Sequence, residues 1–266
     1  MAKKDIQPKI IVISGGSTGL GKEIVELIEK NGDIAVNLSR SNPNNLENHI
    51  ACDISCPNSI NAAADIIKEK FGTVDILINN AGLGISGATE LLDDIEIERV
   101  MDVDYLGALR LSRAVLPLMH PKSKIVNISS ACALFALPYR GVYCSAKAAV
   151  NMLSYSMRME LSRYGIKVVC ICPGEIKTEF TKNRIKFSQT NEKYGDSPQL
   201  SAESIDKNDD KRMSAKKAAK KIYRITMRKN GTMYIVGGKY KLFAFFQRIL
   251  PLGMFNGIIN KLFNKK

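Results

Sequence analysis

Histidine is scarce in this sequence of 266 residues: only His49 and His120 occur. The six cysteines (Cys52, Cys56, Cys132, Cys144, Cys170 and Cys172) include no CxxC pair. With so few ligands at workable spacing, no metal site is expected. A secreted domain stapled by disulfides is out of keeping with this length, so the thiols read as reduced side chains of a cytoplasmic protein. There is no G-x-S-x-G elbow, and neither histidine has a positioned partner, which excludes a hydrolase-type serine nucleophile. No repeat or low-complexity tract interrupts the chain. Met-Ala-Lys-Lys-Asp leads directly into the apolar run Ile10 to Ile13 and then glycines, too short for a signal-peptide core. No export signal is expected.

Acid is missing from one region. Residues 1–210 carry 24 Lys/Arg against 26 Asp/Glu, whereas residues 211–266 carry 15 Lys/Arg and no acid. The net charge of +13 therefore belongs to the C-terminal segment.

What is present is alternation. Lys9–Ser14, Ile34–Ser39, His49–Asp53, Val74–Asn79, Lys124–Ser129 and Lys167–Cys172 read as strands, several apolar almost throughout, as strands covered on both faces are. Between them Leu20–Asn31, Pro57–Phe71, Glu98–Met119 and Val142–Tyr164 have helical periodicity. Pro57 suits a first helical turn and Gly165 a C-cap. This order implies a doubly wound parallel α/β sheet of about seven strands with right-handed crossovers. No linker divides the first part of the chain, so residues 1–238 read as one domain. Within it, 177–211 is a polar lid or loop, followed by a helix capped by Ser214 and running to about Lys229, then a last strand, Thr232–Val236.

The first strand ends in Ser14-Gly15-Gly16-Ser17-Thr18-Gly19-Leu20-Gly21 and passes into a helix. Such a turn lets backbone approach a pyrophosphate, whose charge meets the helix N-terminus. NAD sites generally place an acid at the end of the second strand; here Ser39 and Arg40 stand there, with no acid before Glu47. A guanidinium attracts a 2′-phosphate that a carboxylate repels, so NADP(H) is the expected cofactor.

Tyr143 and Lys147 are i, i+4 neighbours on one helix face. A phenol of pKa about 10 is a poor acid/base near neutrality, and a nearby ammonium lowers that value. Ser130 follows an apolar strand at its C-terminal edge, where open α/β sheets bind ligands. Its hydroxyl suits a substrate carbonyl while Tyr143 exchanges a proton.

With Asn79-Asn80-Ala81-Gly82 and Asn127-Ile128-Ser129-Ser130 added in this order, the sequence resembles the short-chain dehydrogenase/reductase family over roughly residues 8–236. The resemblance, nearest to NADP-dependent members such as hydroxysteroid dehydrogenases, implies catalytic Ser130, Tyr143 and Lys147. It implies cofactor contacts at Gly15, Ser17, Thr18, Gly19, Leu20 and Gly21 in the turn, and at Ser39 and Arg40. Asp53 would contact adenine with Ile54 beside it, and Asn80, Ala81 and Gly82 would line the site. Tyr143 and Lys147 would hold the nicotinamide ribose, and Pro173, Gly174, Ile176 and Thr178 would close over the nicotinamide. One position departs: where the family usually has an asparagine serving a water relay to the lysine, this chain has Asp104. Its backbone carbonyl survives the change, but its carboxylate is placed to pair with Lys147 and weaken the hold of Lys147 on Tyr143.

Residues 239–266 form a basic, Phe/Leu/Ile-rich extension broken near Pro251 and Gly253. Those breaks, with Arg248 and Lys261, argue against a spanning helix. Two readings stand: an amphipathic pair lying on an anionic membrane at its inner face, or a cap over the substrate mouth or a subunit interface. Nucleic acid is not expected, because the basic residues are interleaved with a large aliphatic face. The sequence thus leads to an NADP(H)-dependent oxidoreductase interconverting a lipophilic secondary alcohol and ketone, of hydroxysteroid, bile-acid or acyl-lipid type, in a homodimer or homotetramer. The alternative is a nucleotide-binding regulator or membrane scaffold that has lost catalysis.

Overall fold

The computed structural model describes residues 7–207 and 212–263. In chain order the first half contains β1 (Ile10–Ser14), α1 (Gly19–Lys30), β2 (Ile34–Ser39), β3 (His49–Ala51), α2 (Pro57–Phe71), β4 (Val74–Asn79), β5 (Ile85–Ser86), α3 (Asp94–Met101), α4 (Gly107–Val115) and β6 (Met119–Ile128). The second half contains α5 (Gly141–Glu160), β7 (Lys167–Pro173), β8 (Ile176–Lys177), α6 (Glu179–Lys182), β9 (Ile185–Lys186), α7 (Ser197–Lys207), β10 (Met213–Ser214), α8 (Ala215–Arg228), β11 (Met233–Val236), α9 (Gly238–Ile249) and α10 (Leu252–Phe263).

Seven strands form one sheet in the order β11-β7-β6-β4-β1-β2-β3, every neighbouring pair parallel. The period of two along each strand decides the layers. Val12, Val36 and Leu38 face a core completed by α2, α4 and α5, whereas Ile11, Ile13 and Ala35 face one completed by α1 and α8. Strand order reverses between β1 and β4, which opens a crevice at their C-terminal ends. The glycine turn, Asn80, Ala81, Gly82, Ser130, Tyr143 and Lys147 border that crevice.

Local signals hold at several points. Pro57 occupies the first turn of α2, Gly165 adopts φ 73° after α5, and the Ser214 hydroxyl accepts from Lys217 N at 3.4 Å to cap α8. Other boundaries shift. The expected helix Glu98–Met119 starts earlier, at Asp94, where Asp94 and Glu96 favour a first turn. It is interrupted by a π turn, Asp102–Leu106, and ends in a 3-10 turn, Leu116–Leu118, containing Pro117. β6 begins at Met119 and is bulged before Lys124 resumes register opposite Ile76. The expected strand to Asp53 stops at Ala51, and α5 ends at Glu160, followed by a 3-10 turn.

The stretch expected as a polar lid carries short elements as far as Lys207. β9 pairs with β5, and β8 with β10, so it is stitched to the body on both sides. Its remainder to Lys211 lies outside the described residues.

Candidate active site

The turn after β1 is shaped by what it cannot accommodate. A Cβ on Gly21 would stand 2.0 Å from Gly15 O, and one on Gly16 would stand 2.5 Å from Asn37 Oδ1. Gly15 and Gly19 have φ +69° and +53°, where side chains are strained. The turn is tied to its neighbours: Asn80 N and Ala81 N both donate to Ser14 Oγ at 3.0 Å, and Asn80 Nδ2 donates to Ser14 O and Gly15 O at 3.0 and 3.1 Å. Ser17 and Ser39 share a hydroxyl–hydroxyl bond, and the Ser17 hydroxyl also donates to Ser41 O at 2.6 Å. No side chain caps the N-terminus of α1, so its first N–H groups are directed at the cleft.

A single cleft of about 590 Å³ begins there. It passes Ser17, Thr18, Leu20, Ser39, Arg40, Asp53 and Ile54, then Asn80, Ala81 and Gly82, and reaches Ser130, Tyr143, Lys147, Pro173, Gly174, Ile176 and Thr178. Arg40 is exposed on its rim. Asp53 accepts from Ser55 N and Oγ at 2.9 and 2.7 Å, and those bonds hold its carboxyl below the usual carboxylate range. The glycine cradle, the open helix terminus and a trough of this size fit a dinucleotide, with the turn at its pyrophosphate.

At the far end, Ser130 follows β6 and accepts from Cys132 N at 3.2 Å. Tyr143 and Lys147 are buried in the first turns of α5. The Lys147 ammonium donates to Ile128 O at 3.4 Å and lies 5.9 Å from the Tyr143 ring centroid. Its strongest partner is Asp104 Oδ2, at 3.0 Å, with both side chains almost wholly excluded from solvent. Leu83 N donates to Asp104 Oδ1 at 2.5 Å. Asp104 itself stands behind the lysine and does not border the cleft, so any influence on the reaction passes through Lys147. The π turn swings Asp104 inward, as such bulges do at functional sites. Gly82 makes the room: a Cβ there would lie 3.2 Å from Lys147 Nζ and 3.5 Å from Asp104 Oδ1.

Removal from water penalises the charged form of every member of this set. For Lys147 that loss is outweighed by Asp104 and Tyr143, which hold its pKa above the ordinary lysine value. For Asp104, burial wins over the pull of Lys147 and Leu83 N, and its pKa is raised. For Tyr143, burial, reinforced by Cys132 and Asp104, outweighs Lys147 and Arg184 and pushes the phenol up to about 12. The ammonium beside the phenol therefore does not lower its pKa below the ordinary value, as proximity alone suggested, because burial, reinforced by Cys132 and Asp104, outweighs it.

Several residues of the cleft carry no signal in the sequence. Arg140, Arg184 and Arg212 line it, as do Phe180, Tyr240 and Phe263. Tyr240 lies so close on Gly174 that a Cβ there would stand 2.0 Å from its ring. Cys132 is also at the wall, its thiol pulled down to about 6 by a hydrogen bond with Cys144, against burial. Among the described residues no cluster of His, Cys, Asp and Glu could hold a metal ion.

Residues 9–189 match the short chain dehydrogenase family, and the chain belongs to it. The 3-ketodihydrosphingosine reductase of Bacteroides thetaiotaomicron is 35% identical over 231 residues, 85% of this chain and 86% of that protein. A short-chain dehydrogenase from Streptomyces avermitilis superposes with a TM-score of 0.81 at 26% identity, over 97% of this chain and 96% of its own. A short chain dehydrogenase from Burkholderia cenocepacia in complex with NADP gives a TM-score of 0.76 at 20% identity, over 99% and 100%, a likeness of fold alone. The protein is thus an oxidoreductase of alcohol and keto groups, built on a fold that holds nicotinamide dinucleotides.

The Asp104–Lys147 pair makes a pH prediction. With Tyr143 as the acid/base, ketone reduction would need its phenol protonated, a state present at neutral pH and lost only as pH rises through its pKa. Alcohol oxidation would then need the phenolate and rise with pH. Asp104→Asn removes a charge that raises the Tyr143 pKa, so the rise in oxidation should begin at lower pH, with a gain of about threefold to tenfold at pH 8. Steady-state pH profiles in both directions check this; superimposable profiles for Asn and Asp would contradict it.

Proposed function

We propose that this protein reduces a ketone on a lipophilic substrate to a secondary alcohol with NADPH. The observation that carries the reading is the convergence of Ser130, Tyr143 and Lys147 at the end of a trough that begins at a glycine cradle and passes Arg40. When bound, the cofactor supplies the hydride. Ser130 orients the substrate carbonyl oxygen by a hydrogen bond, and Tyr143 gives that oxygen its proton. A phenol held protonated suits the reductive direction. Lys147 carries positive charge to the developing phenolate and binds ribose hydroxyls. Asp104 keeps that charge in place through the buried pair.

Arg40 supports NADP(H): it stands exposed where an NAD site would present an acid. Arg40→Asp should shift the ratio of kcat/KM for NADPH over NADH by about tenfold to a hundredfold, the worth of a charged hydrogen bond to phosphate. An unchanged ratio would refute the role of Arg40. Tyr143→Phe should lower kcat by about 10² to 10⁴ with the fold intact, and consumption of NADPH across a ketone panel is the assay. Retained cellular phenotype in that variant would instead favour the regulator reading, which the tight Asp104–Lys147 pair otherwise supports.

The C-terminal extension supports a lipophilic substrate. Phe255 and Ile259 are buried against Phe135 and Leu137, and Phe243 packs edge-on against Phe135 at 5.6 Å. Phe263 and Tyr240 reach the cleft, so α9 and α10 cap its mouth. A second apolar stripe faces outward: Leu242, Phe245, Phe246 and Ile249 on α9, then Met254, Ile258 and Leu262 on α10. Lys239, Lys241, Arg248 and Lys261 are exposed around it, in a region without acid. This combination fits the headgroup region of an anionic membrane, reached from the cytoplasm at the inner face. No helix among the described residues is long and apolar enough to cross one. A homodimer or homotetramer belongs to the same reading, with exposed Met152 and Met159 on α5 suited to a second copy.

Vesicles containing phosphatidylglycerol should sediment the protein, and pure phosphatidylcholine vesicles should not. Phe245→Asp with Ile249→Asp should weaken that binding about tenfold or more while leaving the thermal melt in place. Equal binding to both vesicle types, or none to either, would count against membrane contact.

A further inference from the structure

Beside Tyr143 the cleft wall carries three arginines, Arg140, Arg184 and Arg212. Arg184 follows α6 in the lid stretch, with its guanidinium 5.5 Å from the Tyr143 ring centroid and 5.9 Å from that of Phe180. Its Nε and Nη1 atoms are closed off from solvent and have no hydrogen-bond partner. Arg140, at the start of α5, is buried and lines the same space, as does Arg212. The buried carboxylate Asp104 is already engaged by Lys147 and Leu83 N, and Glu175, which lines the same cleft, is engaged by Tyr240. Gly84 is shaped for the arrangement: a Cβ there would stand 3.2 Å from the Phe180 ring and 3.3 Å from Arg184 Cγ.

Placing unpaired guanidinium N–H groups out of water is costly, and bringing arginines together adds repulsion. Both costs are relieved by one ligand, an oxyanion that accepts from the planar fork. We propose that Arg184, supported by Arg140, is a substrate subsite for an oxyanion (carboxylate, sulfonate or phosphate) carried on the keto substrate close to its reacting carbonyl. This rests on the ketone-reductase reading. The apolar cap then takes the chain, the arginines take the head, and the ketone between them faces Tyr143. A substrate whose only charge is an ammonium is disfavoured at this wall. Burial and the neighbouring Arg140 lower the Arg184 pKa, against the opposing pull of Tyr143 and Cys132.

The test compares long-chain ketones of equal length that end, near the carbonyl, in a carboxylate, a sulfonate, a phosphate or a neutral methyl ester. The full chain should prefer the best oxyanion over the ester by about tenfold to a hundredfold in kcat/KM. Arg184→Gln should collapse that ratio towards unity, mainly through KM for the anionic ketone, and Arg184→Lys should restore part of it. A rise in KM for NADPH alone would overturn the proposal and assign Arg184 to the cofactor, and ester and anion reduced equally well would also overturn it. Calorimetric binding of dodecanoate, dodecyl sulfonate and dodecyl phosphate separates this failure from that of the reductase reading. Anion binding lost in Arg184→Gln, without turnover of any ketone, would uphold the subsite and sink the reductase. Should Arg184→Gln not fold, Arg140→Gln is expected to give the same loss of anion preference.

Discussion

Lys147 and Asp104 form an ion pair 3.0 Å apart in a space from which water is almost wholly excluded. Such a pair is expensive to assemble, and it persists only where hydrogen bonds and geometry offset the loss of hydration. The structure supplies these from four directions. The π turn brings Asp104 inward, Leu83 N fixes its second oxygen, Gly82 leaves the space free of a side chain, and Ile128 O at the end of β6 takes the ammonium from below. The pair therefore joins the NNAG segment, the α3–α4 break, β6 and α5 into one unit. Tyr143 sits at its edge and inherits its electrostatics: a cation near enough to matter, already shared with a carboxylate.

The parallel sheet puts this unit where chemistry is possible. Both the glycine turn after β1 and the Asn80 hook after β4 lie at the strand-order reversal, and the hook's hydrogen bonds to Ser14 and Gly15 hold the turn open. The site end and the cofactor-cradling end are consequently set by one short loop. The helices α9 and α10 add aromatic rings to the wall of the cleft, and their outer apolar stripe is exposed.

Much of this was legible in the residues because each signal is local. Apolar runs with a period of two give the strands, and the turn glycines, the Tyr143–Lys147 spacing and Ser130 are fixed by short-range geometry. What escaped depends on contacts distant in sequence. The continuous helix expected from Glu98 to Met119 is interrupted by a π turn that sets the buried Asp104 beside Lys147, and nothing in local periodicity reports that turn. The phenol's direction of shift was missed because i, i+4 spacing reveals the ammonium, and the carboxylate at position 104 its partner, but not the burial that outweighs the cation. Arg184 lay in a stretch without recognisable chemistry, and only pairing of β9 with β5 brings it beside Tyr143.

The central claim is that burial and Asp104 keep Tyr143 protonated despite the adjacent ammonium. It is tested most directly by titrating protein labelled with ¹³Cζ-tyrosine, with Tyr143→Phe used to assign the resonance. The account predicts that the Tyr143 signal stays at its phenol position through pH 10, in line with a pKa pushed up to about 12. A midpoint near neutrality in the unliganded protein would contradict it.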